Sequence, residues 1–161
     1  MALYQAPLPK HDTLLPADDA IALLTAHHHK IRTLYQQYQR TDDQDLKRSL
    51  AEDLFATLAL HATLEETVFY PAVATQTGDE GDRLVGGARH DHQVCRDLIA
   101  ALRQYEAEEF EARFHILMDL VEQHMAEEET ALFPQAAEHL AEGMDALTKT
   151  MQKRHHQMIL S

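Results

Sequence analysis

The stretch HATLEETVFYP at 61–71 returns as HMAEEETALFP at 124–134, with its histidine, both glutamates, threonine and proline in place. An α-helix advances about 100° per residue, so side chains four apart share one face, one turn above the other. His61 with Glu65, and His124 with Glu128, can therefore each reach one ion. A second recurrence accompanies the first, because His28 and His92 stand almost equally far before the two motifs. The chain thus reads as two related helical hairpins, each carrying a histidine, a turn, and then His-x3-Glu.

Working outward from these motifs, the apolar residues keep helical spacing. Ile21, Leu24, Ile31 and Leu34 line a first helix, capped by Asp18 or Asp19 and running to about Arg40. After a polar turn at 41–45, a second helix spans about Leu46 to Tyr70, with Pro71 marking its end or a kink. Gly78–Gly81 separates it from a third helix, about Asp82 to Tyr105, whose first turns the Gly86-Gly87 pair weakens. A fourth helix follows from about Glu109 to Leu140. Beyond Gly143, a fifth segment over 143–160 sets Met144, Leu147, Met151 and Met158 on one side. Residues 1–18 hold Pro7, Pro9 and Pro16 without helical period, and read as an extended arm over the bundle. Only five glycines and five prolines in 161 residues, at 45% hydrophobic composition, fit long helices around one core. The expected architecture is all-α: a single domain over 1–161, with an up-down-up-down antiparallel four-helix bundle at 19–140.

Depth in such a bundle can be read without coordinates, because residues equidistant from a turn lie at equal height. His28 and His61 are centred on the first polar turn, Glu65 and His92 on the Gly78-Asp79 turn, and His124 and His92 on the connection at 107–109. His28, His61, Glu65, His92, His124 and Glu128 are therefore expected in one layer across the bundle interior. Four imidazoles and two carboxylates buried without compensation would cost at least several kcal/mol. A pair of cations compensates them. Four nitrogens and two bridging carboxylates suit six-coordinate iron or manganese better than structural zinc, which prefers four ligands and often thiolates. The Glu-x-x-His spacing of ferritin-like centres is absent, since none of the twelve histidines has a glutamate three residues before it.

At these residues DAIALLTAHHHKI, LHATLEETVFYP, RHDHQVCRDLI and EQHMAEEETALFP resemble the four helix signatures of hemerythrin-like (HHE) cation-binding domains, over about residues 18–140. The resemblance implies two iron ions with an oxo, hydroxo or water bridge. His28, His61, His92 and His124 would be terminal ligands, with Glu65 and Glu128 bridging; manganese and zinc are the alternative metals. The oxygen-carrying members have a further histidine one turn before the third-helix ligand, where this chain has Ala88. Each iron would then keep an open position for O2, peroxide or nitric oxide, which favours redox reaction or sensing over reversible carriage.

The remaining candidates have plainer expectations. His27 and His29, stepped about 100° to either side of His28, are expected at the surface, as are His90 and His115. Glu127 and Glu129 are expected on a solvated face. His155 is a candidate extra ligand set against a packing role, and Cys95 a redox-sensitive thiol set against a small buried hydrophobe. Tyr35, Phe69 and Tyr70 are expected in the core, with contact to the ligands as the alternative.

Fourteen basic against 27 acidic residues give a formal charge of -13, which argues against nucleic acid and anionic membrane surfaces as partners. With one cysteine there is no intrachain disulfide, and the N-terminus has no apolar signal stretch, so a cytoplasmic location is expected. Three function classes follow: a di-iron protein for sensing, storage or oxidative-stress protection; an enzyme consuming peroxide or nitric oxide; or a metal-stabilised interaction module. The last helix would serve the third class as a docking element or homodimer contact.

Overall fold

The computed structural model describes residues 19–161, and the arm expected at 1–18 lies outside the described residues. The helices are α1 (Ala20–Arg40), α2 (Gln44–Leu64), α3 (Tyr70–Gln76), α4 (Gly78–Leu102), α5 (Ala107–Glu127), α6 (Phe133–His139) and α7 (Met144–Leu160). A π-helical turn at Glu65–Phe69 runs α2 into α3, and another at Glu128–Leu132 runs α5 into α6. The result is the expected all-α bundle of four rods with a fifth helix laid against it. Asp19 caps α1 by accepting from the Ala22 amide, and Asp43 caps α2 by accepting from Asp45 and Leu46.

The second rod neither ends nor breaks at Pro71, and the reason is the π turn before it. Proline lacks an N–H and crowds the carbonyl one turn back. Here the Tyr70 amide has already shifted to the Glu65 carbonyl, five residues away, which widens the helix where the ring must fit. Pro134 is accommodated in the same way by the bond from Phe133 to Glu128. The expected Gly78–Gly81 loop is also shorter than its composition suggests. Gly78 reverses the chain at φ 64, and α4 starts there. A Cβ at Gly81 would overlap the Thr77 side chain, so this glycine permits the tight joint. Gly86 and Gly87 leave α4 unbroken.

Two apolar clusters fill the interior. One gathers Leu24, Leu64, Phe69, Val73, Leu132 and Phe133 near the α3–α4 joint; the other gathers Ile31, Leu54, Phe55, Phe114, Leu117 and Val121 toward the opposite end. Between them lies the polar layer of the four histidines and two glutamates. The α7 helix packs its Met151 into the first cluster with Met144, Leu147 and Met158 around it, so its apolar face is used within the chain. Its Thr148 hydroxyl accepts from the Ala20 amide at 2.9 Å and ties it to the start of α1. Among the described residues, no helix is long and apolar enough to cross a membrane.

Candidate metal centre

All six expected residues meet in one layer, and none is more than 6% exposed. Helices α1, α2, α4 and α5 bring in His28, His61, His92 and His124, and each π turn opens on a glutamate, Glu65 or Glu128. One ligand atom from each of His28, His61, Glu65 and Glu128 falls within a 4.8 Å sphere of mutual distances, and so does one from each of Glu65, His92 and His124. Glu65 belongs to both groups. Its Oε1 lies 3.0 Å from His61 Nε2 and its Oε2 lies 3.1 Å from His92 Nε2, so the carboxylate spans the two halves. Glu128 Oε1 lies 3.1 Å from His124 Nε2 and 3.3 Å from His28 Nε2 and spans them from the other rod.

The donor set fits cations held between the rings. Nε2 of His28 is 3.2 Å from Nε2 of His61, and Nε2 of His92 is 3.1 Å from Nε2 of His124. Two nitrogens at right angles about one ion, each about 2.1 Å from it, stand about 3 Å apart. Moreover, Glu65 Oε1 and Glu128 Oε1 are fully buried without a well-aligned hydrogen bond, although His61 Nε2 and His124 Nε2 stand 3.0 and 3.1 Å away. A buried carboxylate oxygen without a donor is costly, and a shared cation removes that cost.

The charges press the same way. Burial works against a proton on His61, yet the carboxylates of Glu65 and Glu128 outweigh it and raise its pKa to about 10. Burial likewise opposes a charged His124, and Glu128, with Glu65 and Asp91, raises it to about 9. Glu128 is held well below the usual carboxylate range, since the His124, His28 and His61 imidazoles together overcome its burial. The layer thus attracts positive charge strongly, and a metal entering it would displace protons.

The opposite ring nitrogens are held from outside. His28 Nδ1 meets Glu129 at 2.8 Å, and His92 Nδ1 meets Glu66 at 2.9 Å. Arg32 fixes Glu129 through contacts of 2.8 and 3.2 Å while also binding Glu122, and Arg96 fixes Glu66 at 2.9 Å. His124 Nδ1 meets Asp91 at 3.3 Å, whereas His61 Nδ1 meets His27 Nδ1 at 3.4 Å. Such outer partners set the tautomer that leaves Nε2 free to bind a metal.

Several sequence expectations change here. Glu129 was expected in solvent, but its long side chain reaches the ring of His28 on the adjacent helix. The repeat held the signal, because the glutamate after the ligand recurs in both motifs. His27 was expected at the surface, yet it is 2% exposed because α7 covers that side of α1 and sets His155 against it, ring centroids 5.2 Å apart. Burial, reinforced by His61 and His155, lowers the His27 pKa to about 2, so its imidazole is neutral. His155 itself stands behind His27, outside the ligand groups. His29, His90 and His115 are exposed as expected, and Ala88 is buried in the core with no histidine in its place.

Tyr70, expected in the core, enters the layer. Its hydroxyl lies 2.8 Å from Glu65 Oε2, 2.9 Å from Glu128 Oε2 and 3.3 Å from His92 Nε2. Five residues of α-helix would turn it about 140° away from Glu65; the π turn brings both to one side. Burial and the two carboxylates raise its pKa well above the usual phenol value, so the hydroxyl keeps its proton. Tyr35 instead pairs with His115 at 2.7 Å, on the exposed side.

A cleft of about 550 Å³ between α2 and α4 leads to the layer, its inner end formed by His61, His92 and His124. Leu58, Ile99, Val121 and Met125 make its walls apolar, and Arg96 and Arg103 stand among its lining residues. Cys95 lies in the same lining, and burial, with Asp91 beside it, pushes its thiol up to about 11. The thiol is thus protonated at neutral pH and a poor nucleophile.

The fold and this layer define a helical-bundle protein with a buried His/Glu cation site. The profile of the Hemerythrin HHE cation binding domain matches residues 19–136, with a second match over 88–160, and the chain belongs to that family. An uncharacterised hemerythrin-like protein of Schizosaccharomyces pombe is 28% identical over 117 residues, 71% of this chain and 58% of that protein. A protein of Nostoc sp. named DNA nickase is 27% identical over 106 residues, 66% of this chain and 30% of that one. The chain therefore spans well under two thirds of either relative. A crystal structure of a hemerythrin HHE cation-binding domain-containing protein from Mycobacterium kansasii shares the fold, with TM-score 0.74, 21% identity and 86% coverage of both chains.

Proposed function

We propose that the protein is a non-haem di-iron protein that binds or reacts with O2 or its reduced products. The observation that carries this reading is the pair of buried carboxylates, each spanning the two histidine pairs and each with one oxygen that lacks a well-aligned hydrogen bond. Nitrogen and oxygen donors without thiolate favour iron or manganese, with zinc as a weaker match. Two such irons supply a redox couple and coordination positions for a small oxidant. The chain's own residues do the rest. His28, His61, His92 and His124 would offer their Nε2 atoms as protons leave, Glu65 and Glu128 would join the two positions, and Tyr70 keeps a proton on its oxygen beside both carboxylates. The mostly apolar walls of the cleft suit small molecules such as O2, peroxide or nitric oxide. Because that cleft reaches the layer from outside, repeated turnover is favoured over sealed storage. A net charge of -13 weighs against extending the Nostoc relative's nickase name to this chain.

Anaerobic loading with ferrous salt tests the reading. Two irons per chain are expected, with near-ultraviolet ferric charge-transfer absorption on admitting air, and both are lost in Glu65→Ala. A colourless, unchanged sample, or full iron uptake by the variant, would overturn it.

A further inference from the structure

The two halves of the layer repeat each other closely, which makes their departures from symmetry informative. His28 and His92 are held alike, each by the glutamate that follows a spanning carboxylate and each with an arginine behind it: Glu129 with Arg32, Glu66 with Arg96. His61 and His124 are not held alike. The residue preceding His92 is Asp91, and its carboxylate meets His124 Nδ1 at 3.3 Å; the residue preceding His28 is His27, and its ring meets His61 Nδ1 at 3.4 Å. One motif histidine therefore faces a carboxylate and the other an imidazole. When His61 donates, His27 must carry its own proton on Nε2, which is buried and has no acceptor. Tyr70 is a second departure from symmetry. It stacks on His92 with its hydroxyl 3.3 Å from Nε2, while its counterpart Phe133 stacks on His28 and has no oxygen to offer.

We propose that the two cation positions are inequivalent: the one held by His92 and His124 fills first and keeps its ion, and the one held by His28 and His61 fills second and exchanges. This rests on the reading of the layer as a dinuclear centre. A carboxylate behind a ligating imidazole raises its basicity and forms the stronger, charge-assisted hydrogen bond. Loss of such a partner commonly lowers metal affinity about 10- to 100-fold. Asp91 supplies one to the first position only. His27, packed between His61 and the α7 residue His155, makes the fifth helix part of the weaker position.

The test is to strip the full chain of metal, add one equivalent of cobalt(II), crystallise it, and compare anomalous difference peaks at the two positions. The His92–His124 position is expected to hold about tenfold more cobalt or better. In Asp91→Asn, a change at the rim of the fold, the two peaks should move toward equal height. His27→Asp should do so from the other side by strengthening the second position. Equal peaks in the unaltered protein, a stronger peak at His28–His61, or a preference indifferent to Asp91→Asn would overturn the inequivalence. Cobalt absent from the layer altogether would overturn the dinuclear reading beneath it.

Discussion

Removing one oxygen atom, in Tyr70→Phe, separates what the layer needs without metal from what it needs with it. The Tyr70 hydroxyl is fully buried and lies within 2.9 Å of both Glu65 Oε2 and Glu128 Oε2. Glu65 Oε1 and Glu128 Oε1 already lack a well-aligned hydrogen bond. Phenylalanine fills the same volume and leaves the two Oε2 atoms facing an aromatic edge. A hydrogen bond to a charged group contributes about 1.5–3 kcal/mol, and a buried acceptor left without one incurs a penalty of similar size. The metal-free variant should therefore lose about 2–3 kcal/mol, which for a chain of this length lowers Tm by about 4–12 °C. With metal bound, the cations compensate the carboxylates, and the loss should shrink. Differential scanning calorimetry of both proteins, stripped and loaded, measures the four values needed. Equal losses in the stripped and loaded forms, or none in the stripped form, would refute the assignment of Tyr70 as the donor to a charged pair.

Two further outcomes follow from the same geometry. Ala59→Trp places an indole on the wall of the cleft, away from the ligands, and should leave iron content unchanged while slowing air oxidation of the ferrous-loaded protein several-fold; an unchanged stopped-flow rate would show that the oxidant enters elsewhere. For the metal-free protein, His61 and His124 have folded pKa values raised to about 10 and about 9. Their contribution to stability is complete below the unfolded value of about 6.5 and is lost as pH rises through the folded values. Glu128, held low, contributes above the unfolded carboxylate value of about 4.3 and loses that contribution as pH falls through its depressed folded value. Thermal melts of the stripped protein should thus weaken from neutral pH toward pH 10, while metal uptake improves as protons cease to compete. A flat profile over that range would contradict the sign.

How far the sequence could be read depended on whether a residue's place was set by its own helix or by a neighbour. His61, Glu65, His124 and Glu128 are placed by a four-residue step within one helix, and His28 and His92 by the symmetry of antiparallel hairpins about their turns. Both rules are local, and the structure brings these six side chains together. Tyr70 escaped because a helical wheel assumes uniform winding, whereas the π turn at Glu65–Phe69 changes the winding between a ligand and its neighbour. The doubled glutamate and the proline that end each motif marked that turn, but only as a repeated pattern without a geometry attached. Glu129 escaped for another reason: a wheel places Cα atoms, and a glutamate can still reach a ring on the adjacent rod. His27 lay furthest beyond reach, since the helix that buries it comes from outside the repeat and breaks its symmetry. The same repeat that makes the six donors legible therefore conceals what distinguishes the two halves. A duplicated hairpin supplies matched ligands, and the differences between Asp91 and His27, and between Tyr70 and Phe133, are where two like positions can acquire unlike affinities.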